Sequence, residues 1–184
     1  MKKLILALVA FALSGVAVAG PAWTYVDLGY LRADSGDDDA DAYALSGSFG
    51  MGSLFHVNAD WIDGTDSDND DFDGYRIGVG LHPAVTDDTD LVLEIGYATI
   101  SWDDFSNDPS WIDLTLGVRS MITDNFELNA AIVTALGDDD IGSDDDFTEV
   151  GLNVGGQYFF NDNISLNASI SQNEVARFGV RWSF

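Results

Sequence analysis

The chain has 184 residues, 46% hydrophobic and 12% aromatic, with 32 acids against seven lysines and arginines combined and no cysteine. A formal net charge of −25 excludes nucleic acid and other polyanions as direct partners and favours cations. The missing cysteines exclude a disulfide framework and thiolate metal sites.

Met1-Lys2-Lys3 is a short basic start, followed by an apolar run over 4–16 and the small-x-small triplet Ala17-Val18-Ala19. This is the pattern of a secretory signal peptide, and the run is short for an anchor, which needs roughly 20 residues. Residues 1–19 are therefore expected to be the signal and 20–184 the exported domain. Both lysines fall in the signal, leaving only Arg32, Arg76, Arg119, Arg177 and Arg181 as cations beyond it.

Ten segments then alternate apolar and polar residues, the period of a strand with two unlike faces. The first, 22–32, sets Val26, Leu28 and Tyr30 against Asp27 and Gly29. Segment 42–51 sets Tyr43, Leu45 and Phe49 against Ser46 and Ser48, and 54–62 sets Phe55, Val57 and Trp61 against His56, Asn58 and Asp60. In 74–81, Tyr75, Ile77 and Val79 oppose Arg76, Gly78 and Gly80; in 91–101, Leu93, Ile95 and Tyr97 oppose Glu94, Gly96 and Ala98. The same alternation runs through 111–121 (Asp113, Arg119 on the polar face), 126–136 (Glu127), 147–160 (Glu149, Asn153, Gln157) and 164–171 (Ser165, Asn167). The last segment, 176–184, sets Phe178, Val180, Trp182 and Phe184 against Arg177, Gly179, Arg181 and Ser183.

Segments of this length match the roughly 9 to 11 residues of a tilted transmembrane strand. Lipid cannot satisfy an open sheet edge, so such strands must close on themselves. The expected fold is all-β, a closed antiparallel transmembrane β-barrel of ten strands, with eight as the alternative count. An even number puts both ends of the sheet on one side. The short connections 52–53, 122–125 and 161–163, with the somewhat longer 82–90, then form the periplasmic turns; 33–41, 63–73, 103–110, 137–146 and 172–175 form the outer loops.

A water-soluble barrel would turn its oily face inward. Here four of the five arginines share the polar face with acids, as paired charges would in a lumen. The expected lumen network is Asp27, Asp60, Arg76, Glu94, Asp113, Arg119, Glu127, Glu149, Arg177 and Arg181, with glycines of the same face leaving room for it. The oily face then meets lipid, and Tyr30, Tyr43, Phe55, Trp61, Tyr75, Tyr97, Phe126, Tyr158 and Phe184 suit two interfacial girdles. Barrels of about eight strands are filled by side chains and those of 16 to 18 hold water channels. Ten strands favour a largely plugged lumen with a structural or surface-interaction role; a narrow cation-favouring channel is the alternative.

The terminal segment ending on Phe184 resembles the C-terminal recognition signal of outer-membrane barrels. With the signal peptide and the strand pattern, the whole chain is similar to the small outer-membrane β-barrel proteins of Gram-negative bacteria. That resemblance implies residence in the cell outer membrane, contact with its lipid, and reading of Phe178, Val180, Trp182 and Phe184 by the barrel-assembly machinery. The segment Asp73-Gly74-Tyr75-Arg76-Ile77-Gly78-Val79-Gly80 is similar in style to xanthomonad-type, quorum-associated barrels, which bring no catalytic motif.

The outer connections are crowded with acids: Asp34, Asp37, Asp38, Asp39 and Asp41; Asp63, Asp66, Asp68, Asp70, Asp71 and Asp73; Asp138, Asp139, Asp140, Asp144, Asp145 and Asp146. Asp66, Asp68 and Asp70 alternate as calcium-loop ligands do, yet Asp71 and Ile77 stand where an EF-hand needs Gly and Glu. Weak Ca2+ or Mg2+ binding is the one cofactor expectation, set against a merely solvated rim. Catalysis is not expected. The two histidines, His56 and His82, fall near periplasmic ends as a lumen residue and a turn residue, and no phosphate loop or histidine-based zinc cluster is present.

Overall fold

The computed structural model describes residues 23–34, 39–102, 108–137, 147–172 and 174–184. Among them the alternating segments form eleven strands: β1 (Tyr25–Asp34), β2 (Asp39–Met51), β3 (Phe55–Asp66), β4 (Asp71–Leu81), β5 (Ala84–Thr86), β6 (Thr89–Trp102), β7 (Ser110–Thr123), β8 (Phe126–Gly137), β9 (Phe147–Phe159), β10 (Ile164–Ser171) and β11 (Val175–Ser183). The signal segment 1–19, the acids Asp37, Asp38, Asp138, Asp139, Asp140, Asp144, Asp145 and Asp146, and the side chain of Glu149 lie outside the described residues.

Every strand pairs antiparallel with its neighbour, β4 pairs with β6, and β1 pairs with β11 from Tyr25↔Ser183 to Ala33↔Val175. The sheet is thereby closed into a ten-stranded wall. The short β5 stands outside it as a hairpin on β6, an addition within the expected 82–90 turn. The start of β1 and the end of β11 lie together, at the end that carries the β2–β3, β7–β8 and β9–β10 turns, the periplasmic end in barrels of this design. Gly52 occupies one such turn at φ 74°, a backbone conformation open to glycine at little cost.

The strands run further outward than the sequence pattern alone indicates. β1 continues to Asp34, β2 begins at Asp39, β3 reaches Asp66 and β4 begins at Asp71. The connections expected over 33–41 and 63–73 are correspondingly shorter. Asp41, Asp63 and Asp73 are therefore strand residues, paired with Thr65, Tyr43 and Asp63 in turn. Above the lipid an aspartate on the outer face meets water, so sheet pairing continues there without loss.

Parity then sorts the side chains. Leu28, Tyr43, Ile77, Leu116, Val180 and their like are exposed on the outer wall, and Tyr30, Tyr43, Trp61, Tyr75 and Tyr97 are all outward near the outer end. No helix among the described residues is long and apolar enough to cross a membrane; the strands present the apolar surface. Inside, the lumen has two storeys. Toward the periplasm it is polar and charged. Toward the outer end it is an apolar cluster that includes Leu31, Ala33, Ala40, Ala42, Ile62, Phe72, Ala98, Ile100, Trp111, Ala135 and Val175. That apolar storey sits on the inward face of strand ends whose neighbouring outward positions are acidic.

Leu28 is 62% exposed at mid-height of β1. Leu28→Arg is expected to lower the unfolding free energy of lipid-refolded protein by about 2 to 4 kcal/mol, the cost of a cation on the lipid face near the midplane. A neutral result in reversible denaturant titration would mean that this wall faces water.

Candidate functional site

The lumen centres on Arg76 of β4, which has no solvent exposure. Its guanidinium makes a two-pronged pair with Asp113 of β7, Nε to Oδ2 at 2.8 Å and Nη2 to Oδ1 at 2.6 Å. Nη1 donates to Asn58 Oδ1 at 2.8 Å, while Asp60 and Glu94 lie at 3.7 and 3.6 Å. Arg76 and Asp113 are not on adjacent strands; β6 runs between them. The passage is Gly96, where a Cβ would come within 2.6 Å of both Arg76 Nε and Asp113 Oδ2. A glycine at this position is thus a condition of the central pair.

Two further pairs brace the wall. Arg119 of β7 holds Glu127 of β8 across the short turn, Nε at 2.8 Å and Nη2 at 2.6 Å from Oε1. At the closing seam, Asp27 of β1 accepts from Arg177 at 2.8 Å, Arg181 at 3.1 Å and Asn167 at 2.6 Å. Arg181 also lies over the Tyr25 ring at 3.7 Å and reaches Gln157, which donates to Ser165. Nine of the ten residues expected in the lumen network face inward together; the tenth, Glu149, has a backbone place in β9 opposite Ala135 and no described side chain. Charged groups so buried persist only when paired and hydrogen-bonded, and here four guanidinium groups meet five carboxylates.

The periplasmic mouth adds a cluster that alternation does not disclose. His56 Nε2 is 2.7 Å from Glu94 Oε1, and His56 Nδ1 is 3.1 Å from His82 Nδ1. The two ring centroids are 5.3 Å apart, so the facing nitrogens meet nearly head-on, as in one N–H···N bond rather than as two ligands converging on an ion. Trp23, just ahead of β1, stacks on His82 at 3.6 Å and on His56 at 4.9 Å, with the Arg119 guanidinium 5.3 Å from its ring. Burial, His56 and Arg119 hold the His82 imidazole down to about 4. Tyr25 and Trp23 could both have been placed from their shared parity with Asp27 in segment 22–32; the stacking of Trp23 on the two histidines could not.

At the outer end, Asp66 Oδ1 accepts from the backbone N–H groups of Asp68 and Asp70, each at 2.9 Å. That carboxylate closes its own turn, in which Asn69 takes φ 64°. No group of three or more His, Cys, Asp or Glu side chains among the described residues is placed to hold a metal ion. The terminal-strand residues Phe178, Val180, Trp182 and Phe184 all stand exposed on the outer wall.

No family model matches this sequence, and no curated protein does. Solved structures do match. The translocator domain of autotransporter NalP from Neisseria meningitidis is 12% identical, with 100% of this chain and 96% of that one covered at a TM-score of 0.52. The KdgM porin in complex with disordered oligogalacturonate is 14% identical over 87% of this chain and 99% of its own, TM-score 0.47. The NanC porin is 11% identical over 88% and 98%, TM-score 0.49. At such identities the likeness is one of fold. The chain has the fold of a Gram-negative outer-membrane β-barrel.

Removing one partner of a buried pair strands the other charge. Asp113→Leu is expected to destabilise the refolded barrel by about 3 to 5 kcal/mol, read from the urea midpoint, and Arg76→Met on top of it to restore part of that loss. Additive losses would show that the two side chains do not act as a pair.

The sign at His82 is also fixed. The unfolded chain takes up the proton near the ordinary value of 6.5 and the folded chain only near 4, so stability falls as pH drops through that window. His82→Gln is expected to be less pH-sensitive than wild type between pH 7 and 4.5 in equilibrium unfolding; equal slopes would remove His82 from the account.

Proposed function

We propose that this protein is a non-enzymatic outer-membrane scaffold whose lumen is closed to ions and whose acidic outer rim meets the surroundings. The observation that carries the reading is the two-storey lumen. A permeating ion would have to break the Arg76–Asp113 pair and its neighbours and then cross a storey lined by Ile62, Phe72, Ile100 and Trp111. The charged storey resists because its guanidinium groups and carboxylates are already paired with one another, and the apolar storey offers an ion nothing in exchange for its hydration. Either obstruction is costly; in series they close the path.

Three further assignments belong to this reading. Residues 1–19 act as an export signal, leaving 20–184 as the barrel. Phe178, Val180, Trp182 and Phe184 serve as the segment read by the assembly machinery, supported by their common outward face on the closing strand. The acidic connections, Asp66, Asp68 and Asp70 among them, attract Ca2+ or Mg2+ weakly as a diffuse rim. The alternative is a narrow channel that the acidic mouth would make cation-favouring. The xanthomonad-type likeness of 73–80 adds no residue role.

Planar-bilayer recording of the refolded, heat-modifiable protein decides between the two. No steady single-channel steps are expected, with or without millimolar calcium. Reproducible cation-selective steps from inserted wild-type protein would overturn the closed-lumen reading.

A further inference from the structure

One outward row of the sheet runs from apolar surface into acids. It passes from Leu128 through Gly156, Ala168 and Phe178 to Tyr30 and Tyr43, each the direct cross-strand partner of the next. Two further steps in register reach Asp63 and then Asp73. The row climbs the wall because the strands are staggered. Leu128 is the third residue of β8 from its periplasmic turn, and Asp73 the third of β4 from its outer connection.

Two hollows lie along this row. The lower is an apolar groove of about 810 Å³, floored by Gly156 and Ala168 and flanked by Val154, Tyr158, Leu166 and Phe178. It spans the five strand spacings from β8 to β2, about 24 Å, the order of length of one extended acyl chain. The upper is a hollow of about 600 Å³ bordered by Asp41, Asp63, Asp71 and Asp73. Tyr30 and Tyr43 border both hollows. Their ring centroids are 5.8 Å apart, and the Tyr30 hydroxyl donates to Asp41 Oδ1 at 2.5 Å.

We infer that the two hollows form one site for a membrane lipid, its chain lying in the groove and a primary ammonium head among Asp41, Asp63, Asp71 and Asp73. The chemistry of each end selects the occupant. The groove is cut into a wall that faces hydrocarbon, so a chain of the membrane fills it. The acids call for a cation. Asp63 and Asp73 stand opposite each other, an unfavourable pairing of like charges, and the protein has no cation of its own to set between them. Four arginines are engaged in the lumen and Arg32 pairs with Asp39 at 3.5 Å. Both lysines lie in the segment read as the export signal.

The same geometry disfavours the other occupants. No three acidic or histidine side chains among the described residues are placed around one metal ion. An ammonium group instead donates through three separate N–H bonds, which reach carboxylates spread around a hollow, and an aromatic face such as that of Tyr43 attracts it as well. A second copy of the chain seated on this wall would press its own acidic rim against these aspartates.

The site goes beyond the closed-lumen reading and rests only on the wall facing lipid, so its test reads bound lipid and not current. Protein refolded in non-ionic micelles is offered equal amounts of octadecylamine, octadecanol and octadecanoic acid at neutral pH, and the retained adducts are weighed by native mass spectrometry. The amine is expected to be retained about tenfold over the alcohol, the gain of a charge-assisted hydrogen bond, and the acid less than either. Asp63→Asn combined with Asp73→Asn is expected to erase that preference and leave the alcohol unchanged. Asp124→Asn combined with Asp162→Asn, which removes the same charge from the periplasmic turns, is expected to keep it. Ala168→Phe fills the groove and is expected to lower retention of amine and alcohol alike. All these positions face outward, and the heat-modifiable band reports that each variant is folded. Equal retention of amine and alcohol by the wild-type chain would overturn the site. So would a preference that survives loss of Asp63 and Asp73, one that the periplasmic substitutions remove as well, or retention that Ala168→Phe leaves untouched. Preferential retention of the acid once calcium is added would give the hollow to a bridging metal ion instead, and a dimer that Ala168→Phe dissolves would give the groove to a second copy; either result overturns the lipid site.

Discussion

Everything in this molecule depends on the closure of the sheet. A strand facing hydrocarbon has no water for its peptide groups, so each N–H and C=O must find a partner on the next strand. The pairing of β1 with β11 removes the last edge. That seam joins the two ends of the described chain, and there Asp27 of β1 receives Arg177 and Arg181 of β11 together with Asn167 of β10. Burying one carboxylate under two guanidinium groups and an amide ties three strands at the point of longest sequence separation, where closing the loop costs the most chain entropy.

Closure in turn creates an interior that must be filled, and the filling follows from the spacing of small residues. Gly29, Gly78, Gly96 and Gly179 all lie on the inward face, each with an arginine or Asp27 over it at a distance that a Cβ would contest. Over such glycines Arg76 reaches past β6 to Asp113, and Arg177 past β1 to Ser46 of β2. In the outer storey the same inward positions hold alanines with a few large residues, Phe72, Ile100 and Trp111, spanning between them. Small beside large is how a narrow barrel packs its taper. The described lumen residues pack for two unlike reasons at the two ends, charge pairing below and dispersion contacts above.

Much of this was legible in the chain. A period of two fixes which residues point inward once one face is known, so Asp27, Asp60, Arg76, Glu94, Asp113, Arg119, Glu127, Arg177 and Arg181 could be placed together before any contact was known. Pairs on neighbouring strands followed as well: Asp27 stands opposite Arg181, and Asp60 opposite Arg76. What alternation cannot disclose is reach. Arg76 bonds Asp113 two strands away and leaves its cross-strand neighbour Asp60 at 3.7 Å, because a long side chain over a glycine is free to choose the better geometry. The apolar storey was hidden by its surroundings. Ala40 and Phe72 are embedded among aspartates, and a run dense in Asp reads as a loop even where every second residue is buried. Trp23 shares the inward parity of Tyr25 and Asp27, but parity does not disclose that it stacks on His82 and His56.

Those outward aspartates also locate the barrel in its solvent. Asp63 and Asp73 are direct cross-strand partners on the outer wall, an arrangement that like charges make unfavourable and that hydrocarbon would make prohibitive. One step inward on the same strands stand Trp61 and Tyr75, paired with each other and exposed. The boundary between lipid and water must pass between these two rows, with the aromatic rings at the interface and the carboxylates beyond it. The pairing of acids is tolerable there because solvent and salt screen it. The acidity of the chain is thus compatible with a membrane wall: its inward acids are held by arginine, and its outward acids at this boundary begin where the lipid ends.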